Sequence, residues 1–187
     1  LGLLPDLTAL AKILAGGLPG GAVCGRRDIM QLLDFEAAEF HGFQKIPHQG
    51  TFNANPMSAA TGVEMLARVA ETEVSEQANE QGRKLMAACN KAFAKSDLAW
   101  AAYGIGSSVY IFTNPDRLDI DPENFDAFAH PMSVMERASN HAAKDLFRLA
   151  MLVNGIDFNS KPGAIVSSVH TDEDIAALAG ALKEGLA

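Results

Sequence analysis

The chain has 187 residues, is 48% hydrophobic and carries 23 acidic against 15 basic side chains, for a formal net charge of −8. That length suits one sizeable core or two small ones, and the negative balance argues against a nucleic-acid surface. No apolar run is long enough to span a bilayer and no secretion-type leader pattern is read; with only Cys24 and Cys89, far apart, neither a zinc site nor a disulfide framework is supported, and a reducing cytoplasm is the expected compartment.

The first predicted element is a short buried strand from Leu7 to Ala11, almost all apolar or β-branched and ending at Lys12. Gly16, Gly17, Gly20 and Gly21 follow around Pro19, a loop whose backbone can take positive φ and approach a ligand closely. A lysine held between such a run and such a loop is expected to be desolvated, which lowers its pKa toward a reactive free amine. An amine of that kind forms Schiff bases with carbonyl compounds, pyridoxal phosphate among them. On composition alone, a lysine beside glycines is more often a solvated loop residue.

Residues 21–25 read as a second short buried strand, and 26–33 as a short helix with Ile29, Leu32 and Leu33 on one side. Arg26 and Arg27 fit a solvated helix start. The pattern then breaks down into a loop over 34–49. Gly50-Thr51 comes next, followed by Asn55-Pro56, an N-cap and a proline at the first helical position. Ala59, Val63, Leu66 and Ala70 predict the packed face of that helix. The Gly50 and Thr51 backbone with the Thr51 hydroxyl could hold a phosphate oxygen, although a plain turn and cap is the commoner meaning of such a pattern.

Residues 73–96 predict a long helix with Val74, Ala78, Leu85, Cys89 and Ala92 inward and Glu76, Glu80, Lys84 and Lys91 on a solvated face. Two strands over 98–103 and 107–113 join at Gly104-Ile105-Gly106. Residues 114–131, rich in proline and acids, read as an exposed connection. A single helix over 132–154 follows, with Val134, Ala138, Ala142, Leu146, Ala150 and Val153 inward and Gly155 at its end. A strand over 163–171 leads to a Thr171/Asp174 capping box and a last helix with Ile175, Leu178, Ala179, Leu182 and Leu186 inward. His130 and His141 read as loop and helix-surface residues without partner ligands at metal spacing, so no metal site is expected, and His170 reads as a structural hydrogen-bonding residue at the strand end.

The run from Pro5 to Ala22, Pro-Asp-Leu-Thr-Ala-Leu-Ala-Lys-Ile-Leu-Ala-Gly-Gly-Leu-Pro-Gly-Gly-Ala, resembles the cofactor-lysine segment of the class III aminotransferases, pyridoxal-phosphate enzymes of fold type I. Ala15 departs from it where a third glycine is frequent, and Gly20 where a larger apolar residue is common. Roughly forty residues on, Gly50-Thr51 and Asn55-Pro56 are similar to the segment in which that family places its phosphate-binding threonine. Gly25 to Met30, Asn154-Gly155-Ile156 and the run from His170 to Ile175 also match. The run from Gly104 to Thr113 resembles the small-domain strand of the glutamate-1-semialdehyde aminomutase branch.

The resemblance implies an α/β chain in which residues 1–70 complete the cofactor-binding large domain and residues 71–187 form a small α+β C-terminal domain. It implies that Lys12 is the Schiff-base lysine of pyridoxal 5'-phosphate, and that Gly50 and Thr51 bind its phosphate, Thr51 reaching into the partner's site of a homodimer with shared active sites. The substrates would be a small-molecule amino donor and a carbonyl acceptor, with no nucleic acid or membrane partner. Aminotransferase and aminomutase both remain open. Pro47-His48-Gln49, standing where the aminomutase branch commonly has a Tyr-Gln-Ala type segment, ranks a general transaminase first. A non-catalytic remnant or interaction module is the reading from another class. Because the chain opens at Leu1 almost directly on a strand, a C-terminal portion of a longer enzyme is expected, inactive by itself for want of the family's upstream pocket.

Overall fold

In the computed structural model, which describes residues 2–159 and 163–186, regular structure begins with strand β1 (Leu7–Ala11). It pairs antiparallel with β2 (Gly21–Gly25) in the register Leu7↔Gly25 to Ala11↔Gly21, a 3-10 turn at Lys12–Ala15 opening the connection. Both strands lie where the sequence predicts them, but neither is buried. With two strands and, among the described residues, no third neighbour, the ribbon leaves Leu7, Leu10 and Val23 open. Its open end is tied by Arg26, which donates to Asp6 at 2.8 Å and to both oxygens of Asp28 at 3.0 and 2.7 Å. Arg26 is therefore a clasp on the ribbon rather than a free helix start.

The expected short helix is α1 (Arg27–Met30), continued by a 3-10 turn at Gln31–Leu33. The expected loop over 34–49 instead contains α2 (Phe35–His41). It has no buried face, so hydrophobic periodicity is silent; its ends define it, with Asp34 accepting from the Glu36 and Ala37 amides and Gly42 at φ +69°. Helix α3 (Pro56–Glu71) starts as predicted, Asn55 accepting from the Met57 and Ser58 amides. Its packed face differs. Ala59, Val63, Leu66 and Ala70 are exposed, whereas Gly62 is buried and Ser58, Thr61 and Met65 are half-buried. These elements form one compact unit, Leu1–Thr72, and the second is Glu73–Ala187.

In the second unit α4 (Val74–Phe93) leads to the hairpin β3 (Ala101–Ile105) and β4 (Ser108–Phe112), registered Ala101↔Phe112 to Ile105↔Ser108. Strand β5 (Gly163–Ile165) pairs antiparallel on the far side of β4, so the order is β3-β4-β5; the predicted strand over 163–171 is confined to its first three residues. Alternation along the strands sends Ala102, Val109 and Ile111 to one face, where they meet Leu85, Cys89 and Phe93 of α4, Phe147 and Met151, and Leu178 and Leu182. Each large apolar side chain fully buried there contributes about 1.5–3 kcal/mol. Burial also pushes the Cys89 thiol up to about 12, so Cys89 acts as a core hydrophobe.

The other face of the sheet, with Ala101 and Phe112, packs on Ala138, Leu118, Ile120 and Phe125. Residues 114–131 are thus more than an exposed connection: part of the segment covers a sheet face. Buried Asn114, at φ +46°, anchors it by donating to the carbonyls of Ala99 and Leu118 at 2.9 and 2.8 Å. The single helix expected over 132–154 is two, α5 (Met132–Ser139) and α6 (Ala143–Val153). The break changes the phase of the inward stripe, so Phe147 and Met151 enter the core while Leu146 and Val153 stay open at 71% and 75%. Helix α7 (Asp172–Gly185) carries the predicted capping box, with Thr171 and Asp174 bonding each other's backbone amides. His170 accepts the Ser167 amide at 3.1 Å, a structural role.

Candidate functional site

Lys12 is the first residue after β1 and opens the 3-10 turn with φ +59°, in the left-handed region that an L-residue with a long side chain rarely occupies. Gly16 closes the turn at φ +61°, its amide donating to the Ile13 carbonyl at 2.9 Å. The turn rests on α3. Thr61 Oγ1 donates to the Ala15 carbonyl at 2.8 Å, and Ser58 Oγ donates to the Pro19 carbonyl at 2.7 Å. The approach is close enough that a Cβ on Gly16 would lie 2.4 Å from the Thr61 carbonyl oxygen, and one on Gly62 2.7 Å from that of Leu14. Backbone therefore meets backbone where the turn crosses the helix.

The lysine itself is exposed, as are its neighbours Leu10 and Ile13, so the expected desolvation of Lys12 is not found. The cause is the open two-stranded ribbon, which places no apolar layer over the strand end. Among the described residues the engaged lysine ammoniums include that of Lys45, on the Ile46 carbonyl, and that of Lys84, on Asp172. The Lys12 ammonium has no such bond among them.

Gly50 and Thr51 sit in a turn just ahead of α3, closed by the Asn53 amide on the Gly50 carbonyl at 3.0 Å. Both residues are exposed. Asn55 already satisfies two of the first amides of α3, which narrows the anion-binding groups here to the Thr51 hydroxyl and the amides of the turn itself. A cavity of about 750 Å³ lies between the glycine loop and the start of α3, lined by Leu14, Gly20, His48, Phe52, Asn53 and Ser58 among others. Lys12, Gly50 and Thr51 do not line it, so the structure does not gather the candidate residues around that hollow. Among the described residues no His, Cys, Asp or Glu cluster could hold a metal ion, and no helix is long and apolar enough to cross a membrane.

Ser58 and Thr61 are absent from the sequence-based list of site residues. The available signal is two hydroxyl side chains three apart beside a glycine in the first half of the helix, which places all three on one face.

Residues 1–109 match the class-III aminotransferase family. Over 178 residues the chain is 31% identical to a glutamate-1-semialdehyde 2,1-aminomutase of Nitrosomonas europaea, a match covering 93% of this chain and 36% of the relative. The identity to the enzyme of that name from Caldicellulosiruptor saccharolyticus is also 31%, over 91% of this chain and 36% of the relative. Among solved structures, a transaminase with PLP bound superposes with a TM-score of 0.77 at 28% identity, covering 99% of this chain and 38% of that one. An omega-transaminase from Sphaerobacter thermophilus gives 0.75 at 25% identity, over 98% and 40%. The chain thus spans little more than a third of the length of the curated relatives it matches.

Proposed function

The chain belongs to the class-III aminotransferase family and carries part of the fold-type-I architecture, and from that premise we propose that it supplies the lysine-bearing C-terminal portion of a pyridoxal-phosphate enzyme of amino-group transfer. The unit Leu1–Thr72 is then the end of the cofactor-binding large domain and Glu73–Ala187 the small C-terminal domain. The observation that carries the reading is Lys12 itself. Its amine is exposed at a strand end, and its backbone is fixed by a turn docked on α3.

The residues fit the cofactor. Lys12 offers an accessible amine, and the Gly50–Thr51 turn offers a hydroxyl and amides that the Asn55 cap does not consume. When bound, pyridoxal phosphate supplies the electron sink that stabilises negative charge on the carbon bearing the amine. Lys12 Nζ would be the group that holds the cofactor. The same Nζ would serve as the base and acid that moves a proton at the substrate carbon. Thr51 Oγ1 donates to a phosphate oxygen and so fixes the register against which that proton moves. In a homodimer, Thr51 serves the partner's site. The two cysteines are unbridged, in keeping with a reducing compartment such as the cytoplasm.

A small-molecule amino donor and a carbonyl acceptor are the substrates of this reading. The second reading, an intramolecular transfer as in glutamate-1-semialdehyde aminomutase, is favoured by the names of the curated relatives. The test is borohydride reduction of the full-length enzyme loaded with cofactor, followed by peptide mapping. Label on Lys12 is expected, and label on Lys45 would end the assignment. Turnover of glutamate-1-semialdehyde without an external donor then selects the second reading, and donor-dependent turnover the first.

A further inference from the structure

We propose that the Ser58–Thr61–Gly62 face of α3 is a clamp that keeps Lys12 in its left-handed conformation, with Thr61 the positioning residue for the lysine amine. The proposal deepens the reading of Lys12 as the cofactor lysine and rests on it.

A residue in a sparsely populated backbone region stays there only where its surroundings over-determine it. Ala54, Asn114 and Arg117 are also at positive φ; Asn114 has its own side-chain bonds, Ala54 lies inside a turn closed by the Asn55 amide on the Phe52 carbonyl, and the Arg117 amide itself bonds the Asn114 carbonyl. Lys12 is exposed and has no such local support. What holds it lies on either side. Before it, Ala11 is paired with Gly21 in the ribbon. After it, the Ala15 carbonyl accepts from Thr61, Gly16 lies against the Thr61 backbone, and the Leu14 carbonyl lies against Gly62. Farther along, Ser58 holds the Pro19 carbonyl. The loop also closes on itself, because buried Ala15 fills the room next to Gly20, where an added Cβ would come within 2.6 Å of the Ala15 methyl. Ala15 and Gly20 are the two departures from the family segment, and here they meet as one packed pair.

The Thr61 hydroxyl also lies 3.1 Å from the Met57 carbonyl, one turn back in its own helix. Helix α3 therefore does not need the Ala15 contact to satisfy that hydroxyl. The longer-range bond joins residues 46 positions apart, and its effect falls on the turn. With the turn released, Lys12 can relax toward negative φ. That rotation redirects its Cα–Cβ bond and moves Nζ away from the proton it has to carry.

The experiment uses the full-length enzyme with Thr61→Val, which keeps the shape and removes the hydroxyl, and Thr61→Ser, which restores it. Two readouts are independent of turnover. In the cofactor-free protein, Lys12 modification by trinitrobenzenesulfonate is timed by peptide mapping against Lys45. In the holoenzyme, the pH midpoint of the visible absorption of the lysine-linked cofactor is measured. Thr61→Val is expected to change the Lys12 rate about threefold or more with Lys45 unchanged, and to lower kcat about tenfold while KM stays within about twofold. The pH midpoint is expected to move by about half a unit, and Thr61→Ser to stay near wild type on every readout. A folded Thr61→Val protein with the wild-type Lys12 rate and midpoint overturns the proposal. If Thr61→Val does not fold, Ser58→Ala takes its place with a smaller change in the same direction, and no change overturns the clamp equally. Failure of the underlying reading is separate: Lys12→Ala would keep the lysine-linked absorption, whatever the Thr61 variants do.

Discussion

Thr51 allows the phosphate assignment to be tested at a single hydroxyl. The side chain is exposed, so Thr51→Ala should leave the thermal midpoint of the cofactor-free full-length protein unchanged. It removes one donor to a charged oxygen, a bond of about 1.5–3 kcal/mol, so the cofactor dissociation constant should rise roughly ten- to a hundredfold. Fluorescence titration of the cofactor-free protein measures it, and an unchanged constant returns Gly50-Thr51 to a turn with no ligand. Lys12 and Thr51 stand out as candidates in the sequence because local motifs carry them. The left-handed backbone of Lys12 does not, since the contacts that impose it come from Ser58 and Thr61, far along the chain. The expected desolvation of Lys12 is not found either: an apolar run predicts a buried strand only when other strands or helices cover it.

Most strands and helices follow from periodicity and caps, and the misplacements share a cause. Helix α2 buries no face, so only Asp34 and Gly42 announce it. The stripe on α3 is misread because its tightest contact is made by Gly62 and two hydroxyls, which a count of apolar side chains cannot register. Another polar side chain does comparable work on α4. Asn90 accepts from the Ala102 amide at 2.6 Å and donates to the Ala102 carbonyl at 3.0 Å, closing the free edge of β3 against its helix. Asn90→Ala leaves both buried backbone groups without partners and should cost on the order of 2–4 kcal/mol. Urea denaturation of the full-length protein checks this. A loss below about half a kcal/mol would mean that water replaces both bonds.

At the scale of the whole molecule, the two units differ in what they bury. Glu73–Ala187 closes a core on both faces of its sheet, whereas among the described residues of Leu1–Thr72 Ala15 is the one buried hydrophobic side chain and Leu4, Ile13 and Val63 stay open. Apolar surface on that scale associates. Residues 1–187 expressed alone should therefore self-associate, as read by light scattering after gel filtration, and should show no donor-dependent amino transfer with added cofactor. Lys12-dependent turnover by this chain alone would show that it carries a complete site. One helix, α3, is bonded to the Lys12 turn and is immediately preceded by the Thr51 turn. If Lys12 serves its own subunit and Thr51 the neighbour, two crippled alleles can rescue each other. A mixed dimer of Lys12→Ala and Thr51→Ala subunits gathers both lesions into one site and leaves the other whole. Random mixing at limiting cofactor should then recover roughly a quarter of wild-type activity from two defective parents. If both residues served the same subunit, no pairing of the two alleles would restore a site.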